Sequence, residues 1–590
     1  MSGYTEHVEL PGGFRAEDGP AWRRIRRYAV PGWMIERATA HRLAGDWQAA
    51  CAAAAVDVTF DLPALAARYG APVAQAVRED LRHLAPDLVR WHLPRSLGGR
   101  TTVEPEVRVL LARYGADADA PVLSVSTGPM IEGPQRLLLH CAPVEPPPRH
   151  RTFGGANPLR PEDWTAARPL WDARHTAALR ERLSGGGERL PFFRPDGTPL
   201  PADELPTGDP GTADPAGHAE WVALLHARED FAGAYAAAGI ERDLTKPPEV
   251  PRYGTVPAPE TLMAAAGADL TRLGAEVRRL VAAGAGERFR MGDWSGSLLV
   301  EHVGSGPGTG VRVRAAGQDE RRGVPLLPLF AWKRLPDLEL VRTGRITPRE
   351  LHPLVAAALF PGAGPAAGPP GPAEAKPVRV RCRGEWHEVR SQGGVLDLLP
   401  HSPEEQRRER AMRAFGGAIQ GCFAVQQIWT TGEGRLPRAL RAERQELFLR
   451  VQHGDTPGVV ALLDAGTDPR VRDARGYTLL HVLHLLDHEV LLPRLLAAGL
   501  DVEAQDTSGC TPLQVAVERG GSVGLVRALL AAGSRIDVVD DADLSLGQVI
   551  RRHQRTDLAF LRSRVEEEFP GIGSEWFDEY LDERESDEEY

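Results

Sequence analysis

The chain has 590 residues, 42% of them hydrophobic and 26% charged, with a formal net charge of -11; the length predicts roughly three to five domains and the composition an ordinary globular protein. No uninterrupted apolar run approaches the roughly eighteen residues of a membrane span, and "MSGYTEHVELPGGF" lacks the apolar region of a secretory signal, which argues against membrane and secreted classes. Five widely spaced cysteines (51, 141, 382, 422 and 510) without a CxxC pair argue against a disulfide framework or a cysteine-rich zinc site, and for a reducing cytoplasm.

Residues 20–93 read as helices. "PGWMIERATAHRLAG" ends at Gly45, Asp46 is placed to N-cap "WQAACAAAA", and "APVAQAVREDLRHLAPDLVRWHL" keeps a helical pattern through Pro86. Within "WRRIRRY", residues 22–28, Trp22, Ile25 and Tyr28 share one helical face. With no net positive field to steer a polyanion, a solvated helix face is expected there and nucleic acid is argued against. Over residues 106–144 the period changes, and three short apolar runs between turn signals predict a small antiparallel sheet.

Residues 162–183, 217–238 and 257–283 read as helical again. "SLLVEHVGSGPGTGVRVRAAG" predicts two strands about a glycine loop. That loop, Gly304–Gly310, has neither the lysine nor the following helix that a phosphate site needs. Thr347-Pro-Arg-Glu350 is a capping box for "ELHPLVAAALF", and residues 361–377, with six prolines and four glycines, read as a linker. A hairpin, "VRVRCRGEWHEVRS", and a helix opened by the capping box Ser402-Pro-Glu-Glu405 follow.

Two later stretches repeat. "DARGYTLLHVL" and "DTSGCTPLQVA" align Asp473 with Asp506, Gly476 with Gly509, Thr478 with Thr511 and Leu480 with Leu513 at a spacing of 33. Gly466, Gly499 and Gly533 close the helices that follow. From about Leu447 to Arg564 this pattern resembles the ankyrin repeat, with Leu479 in the usual proline place and Gln514 in the usual histidine place. Gly509 suits the turn, Thr511 the N-cap and Pro512 the first helical position; Leu513, Ala516, Val526, Leu529 and Leu530 form the stacking stripes. The resemblance implies a surface that binds another protein, with Arg475, Tyr477, Thr507, Ser508, Gln514 and Glu518 as contact positions. The competing expectation is that so short an array packs against its own chain.

Three lookalikes receive plain readings. Ser522 sits in a G-x-S-x-G string, but a helix is expected before it where a nucleophile elbow needs a strand. His481, His484 and His488 fall on one face if the segment is helical, yet His481 occupies the structural histidine place of the repeat. They are expected to be structural, with no stoichiometric zinc; no metal and no cofactor is assigned. The last 25 residues hold twelve acids and one arginine, and Trp576, Phe577, Tyr580 and Leu581 lie on one side of a helix that Ser574 can cap. This tail reads as a docking segment, with Arg551, Arg552, Arg555, Arg562 and Arg564 as an internal candidate surface.

The sequence therefore predicts an α+β multidomain chain. Its parts are a helical region (1–100), an α+β region (101–360), a linker (361–377), a hairpin-helix module (378–434), an α-solenoid of ankyrin-like repeats (435–565) and an acidic tail (566–590). The expected function is a scaffold or regulator acting through the array; the alternative is an enzyme with its site in residues 1–360 and the repeats as a targeting module. Catalytic residues stay unassigned.

Overall fold

The computed structural model describes residues 9–10, 12–144, 160–211, 213–246, 257–292, 298–304, 310–371, 377–392, 395–397, 401–414, 420–431 and 434–588. The first apolar core is built from α1 (Gly19–Tyr28), α2 (Gly32–Leu43), α3 (Trp47–Ala53), β1 (Val56–Val58), α4 (Leu62–Tyr69), α5 (Ala71–His83) and α6 (Pro86–His92). These pack on β2 (Val107–Arg113), β3 (Val122–Thr127), β4 (Leu137–Ala142) and β5 (Arg160–Asp163). Asp46 caps α3, accepting from Ala49 N at 2.9 Å. The helix does not run through Pro86: Leu84 turns extended, α5 stops, and Pro86 opens α6, where its missing N–H has no partner to lose.

The expected antiparallel strands β2, β3 and β4 are present, and β1 and β5 join them in parallel to give the order β1-β4-β3-β2-β5. Because β1 pairs with β4, residues on both sides of position 100 share one core. Residues 162–183 are only partly helical: β5 and a 3-10 turn at Arg168–Leu170 precede α7 (Ala178–Ser184). Buried Asp172 accepts from the Arg174 backbone and pairs with Arg168 and Arg174, a local arrangement that competes with helix.

A second core comprises α8 (Pro215–Ala227), α9 (Phe231–Ala237), β6 (Ile240–Asp243), α10 (Pro259–Ala266), α11 (Leu270–Ala282), β7 (Arg288–Met291), β8 (Leu298–Val303) and β9 (Gly310–Ala315). Its sheet runs β6-β9-β8-β7, with β8 and β9 as the expected hairpin; the hairpin tip, residues 305–309, lies outside the described residues. After α12 (Gln318–Arg321), the helices α13 (Pro336–Arg342) and α14 (Pro353–Leu359) return to the first core. The Thr347–Glu350 box forms but opens only a 3-10 turn; His352 caps α14 instead.

The arginine-rich stretch on α1 is a core element, not a solvated face. Arg26 is 4% exposed and donates to Asp337 through Nε (3.0 Å) and Nη2 (2.8 Å), while Trp91 Nε1 donates to the same carboxylate at 3.1 Å. In the proline- and glycine-rich stretch, Ala367 N and Gly368 N donate to Arg349 O, and Gly368 and Pro369 are buried.

The third core runs from β10 (Val378–Cys382), β11 (Glu385–Gln392), β12 (Val395–Asp397) and α16 (Cys422–Thr431) straight into the repeats; α15 (Pro403–Ala414) precedes α16 in the chain and adds no residue to this core among the described ones. The hairpin and the Ser402–Glu405 capping box are as expected. The repeat helices are α17 (Arg438–Gln452) and α18 (Thr456–Asp464), α19 (His488–Ala497), α20 (Pro512–Glu518) and α21 (Val523–Ala531), then α22 (Leu546–Arg552) and α23 (Ala559–Glu568); α24 (Glu575–Glu588) follows. Among the described residues no helix is long and apolar enough to cross a membrane.

Candidate functional site

Each repeat turn is built by one aspartate. Asp473 accepts from Arg475 N and Tyr477 N, Asp506 from Ser508 N and Cys510 N, and Asp540 from Ala542 N and Leu544 N, all at 2.8–2.9 Å. Gly476 (φ 75°) and Gly509 (φ 70°) take the left-handed position that closes the turn, and Asp543 (φ 58°) takes it in the degenerate last unit. Neighbouring tips are stitched together, Thr507 N donating to Arg475 O at 2.9 Å and Asp541 N to Ser508 O at 3.2 Å. Thr511 caps α20, and Leu513, Ala516, Val526 and Leu529 are buried in the stack.

The two departures from the repeat pattern have local consequences. Unit two lacks the preset φ of a proline, and at Leu479 its first helix is reduced to turns and a 3-10 segment, Leu483–Leu485. His481 nonetheless does double duty: Nδ1 meets Thr478 N at 3.1 Å and Thr478 Oγ1 at 2.9 Å, and Nε2 meets Cys510 O of the next unit at 3.1 Å. In unit three Gln514 Oε1 accepts from Thr511 N at 2.9 Å, but its buried Nε2 finds no partner among the described residues. A buried amide donor left open costs roughly 1–3 kcal/mol.

A cleft of about 270 Å³ opens on the array, and all six expected contact residues line it: Arg475, Tyr477, Thr507, Ser508, Gln514 and Glu518. Its walls differ in charge. Burial, and then Asp506, Asp540, Glu518 and Asp541, push the Cys510 thiol up to about 12. On the other side burial, with Arg552, Arg519 and Arg555, pushes the His553 imidazole down to about 4.

The chain's own N-terminal region covers one edge of this surface. Arg100 stacks over the Tyr477 ring at 4.9 Å and pairs with Asp473; Arg475 and Arg519 reach Glu132, at 3.4 and 4.0 Å. His484 Nε2 contacts Glu132 O at 3.1 Å. Farther along, Tyr28 bonds Glu446, and Trp33 Nε1 donates to Asp455 at 2.8 Å. Tyr477, beneath Arg100, is 7% exposed and Gln514 is 2% exposed, whereas Thr507 and Ser508 are open to solvent.

The lookalikes resolve into structural parts. Ser522 Oγ accepts from Leu525 N at 3.1 Å as the cap of α21. His481, His484 and His488 do not share a helix, and burial pushes the first two down to about 4. The tail helix α24 packs Leu581 and Phe577 on the last unit, with Arg551 paired to Asp578 and Asp582, while Trp576 (70%) and Tyr580 (45%) stay exposed and stacked at 6.1 Å. Arg562 and Arg564 instead pair with Glu566 and Glu568 on their own helix.

One cluster escaped the sequence. Cys382, His387, His401 and Cys422 place one ligand atom each within 4.8 Å of the others, whereas the cysteine spacing had argued against zinc. The signal that could have found it was the expected hairpin, whose alternation sets Cys382 and His387 on one face.

Residues 447–540 match the family model for ankyrin repeats, in three copies. The stacked C-terminal units are thus an ankyrin-repeat array, the match leaves the N-terminal region unassigned, and the chain matches no curated protein.

Proposed function

We propose that this chain is a scaffold or regulator whose repeat cleft receives a segment of another protein. The observation that carries the reading is the cleft itself, about 270 Å³ between an acidic wall around Cys510 and a basic wall around His553. A partner's basic side chain meets the acids around Cys510, and an acidic one meets the arginines around His553. Thr507, Ser508 and Glu518 supply reachable contacts, while Arg475 and Tyr477 join the cleft to the chain's own Arg100 and Glu132. Partner binding is then coupled to the N-terminal region through shared residues, which suits a regulator. The exposed Trp576–Tyr580 pair on α24 offers a second docking patch. Five free cysteines suit a cytoplasmic setting.

The enzyme alternative has less to rest on. Two clefts among the described residues of the N-terminal region, beside Phe193 and Phe360 and beside Leu183 and Phe330, hold at most about 10 Å³ each, space for about one water. The test is quantitative affinity capture with the full chain and with its Ser508→Arg and Glu518→Arg variants. Partners held by the cleft are retained by the parent and lost from both variants. An unchanged captured set at unchanged melting temperature contradicts the reading.

A further inference from the structure

The hairpin of β10 and β11 turns through Arg383 and Gly384, both at positive φ, and the register sets His387 opposite Val380 and Glu385 opposite Cys382. Val380, Cys382, His387 and Val389 therefore share the hairpin's inner face, and Val380, Cys382 and Val389 are buried. Two helix starts close on this face. His401 immediately precedes Ser402, the cap of α15, and Cys422 is the first residue of α16. The approach of α16 depends on Gly421, which has φ 63° and sits so close that a Cβ there would overlap the Cys382 side chain.

The four side chains converge on one point. Cys382 Sγ lies 3.6 Å from His401 Nε2, Cys422 Sγ 3.6 Å from His387 Nδ1, and the two ring nitrogens are 3.0 Å apart. A tetrahedral zinc ion with bonds of about 2.3 Å to sulfur and about 2.05 Å to nitrogen holds sulfur and nitrogen ligands about 3.6 Å apart and two nitrogens about 3.4 Å apart. These two sulfur–nitrogen spacings already fit, all four ligand atoms lie within 4.8 Å of one another, and the ring pair needs to open by a few tenths of an ångström.

The far nitrogen of each ring also faces a carboxylate: His401 Nδ1 is 3.7 Å from Glu405, and His387 Nε2 is 3.9 Å from Glu385. At these separations each carboxylate favours, by its charge, a proton on the far nitrogen, which leaves the inward nitrogen bare for a metal. A metal-free hydrogen-bonded cluster explains the ring contact less well: if each inward nitrogen accepts from its own thiol, two lone pairs face each other at 3.0 Å with no proton between them.

We propose that Cys382, His387, His401 and Cys422 form a structural zinc site. Two thiolates neutralise the dication, four protein ligands leave no open position for substrate, and a set of two sulfurs and two imidazoles selects zinc over hard cations. The ion ties the hairpin to α15 and α16. From α16 the buried Trp429 continues the same apolar core through Leu436 and Leu440 into the first repeat. The zinc module thus caps the open end of the array, where a solenoid needs a terminal unit to cover its last apolar face.

The test is elemental analysis of the full chain, together with the absorption spectrum after exchange into cobalt. One zinc per chain is expected, with thiolate-to-cobalt charge transfer and tetrahedral d–d bands. Cys382→Ser and Cys422→Ser should each abolish the metal, whereas Cys510→Ser, a control thiol, should keep it. His401→Cys preserves a donor at the same place and should retain zinc, which separates coordination from a packing role if the serine variants fold poorly. Glu405→Gln, which can still pair with Ser402, should weaken zinc affinity on the order of 10- to 100-fold. A folded parent that takes up neither zinc nor cobalt, or a Cys382–Cys422 disulfide found by mass in its place, overturns the proposal.

Discussion

The repeat array and the N-terminal region solve the same packing problem with contacts of opposite range. In the array, Asp506 shapes its own turn, Thr511 caps the helix it precedes, and His481 reaches only 29 residues ahead to the next unit. In the N-terminal region, β1 pairs with β4 some eighty residues on, His352 bonds Asp87, and Arg26 is neutralised by Asp337 across 311 residues. Stability in the array is therefore assembled from neighbouring units, whereas the N-terminal core depends on a few distant partners being present together.

The sharpest way to expose that dependence is Asp337→Ala. It leaves the 4% exposed Arg26 guanidinium and the Trp91 indole without their acceptor, and breaking a buried pair of this kind costs about 3–5 kcal/mol. Denaturant unfolding should show that loss, with most of it recovered when Arg26→Met is combined with Asp337→Leu. A loss of under about 1 kcal/mol, the value of an exposed pair, removes the distant anchor from the account.

Acid should weaken the array next. Burial pushes His453 down to about 3 and His481 and His484 to about 4. The unfolded imidazole protonates near pH 6.5, so below that the unfolded state binds more protons than the native one. The stability from keeping these rings neutral is complete above about pH 6.5 and is lost as pH falls to about 4, up to about 3 kcal/mol for each of His481 and His484. Melting temperature should decline through this window, less steeply in His481→Gln; a flat profile contradicts the buried neutral rings.

These contrasts also explain what could be read from the chain. The array was legible because aspartate, glycine, threonine and leucine recur at 33 residues and act locally. The meander β2–β3–β4 was legible by alternation, but its parallel neighbours β1 and β5 were not, since their partners are distant. "WRRIRRY" looked solvated because the carboxylate that neutralises it lies on α13. The quartet of Cys382, His387, His401 and Cys422 has no motif spacing; a hairpin register and two helix starts assemble it. Of the six expected contact residues, sequence could place all on the array but not show that Arg100 and Glu132 would cover Tyr477 and Arg475.

A smaller effect tests the unsatisfied unit. Gln514→His gives unit three the imidazole that unit two uses, so its second nitrogen can reach the next turn's carbonyl. A gain of about 0.5–1.5 kcal/mol is expected by denaturant unfolding. No gain means the two units are not interchangeable.

The smallest effect concerns α24. Arg551–Asp578 and Arg551–Asp582 are partly exposed pairs worth about 0.2–1 kcal/mol and screened within about 8 Å at physiological salt. Hydrogen exchange over residues 574–582 should quicken modestly from low to high salt and remain slower than in a free peptide, because Leu581 and Phe577 are packed. Full exchange at both salts contradicts the docked helix.

The central claim, that the array is one cooperative body held on the N-terminal region by a limited set of contacts, is tested most directly by hydrogen exchange on the full Leu529→Asp variant. Leu529 is wholly buried in the stack, and a charge there costs about 3–5 kcal/mol. The account predicts that amides across residues 435–565 lose protection together while those of β2, β3 and β4 keep theirs. Loss confined to α20 and α21, or spread equally into the N-terminal sheet, would contradict it.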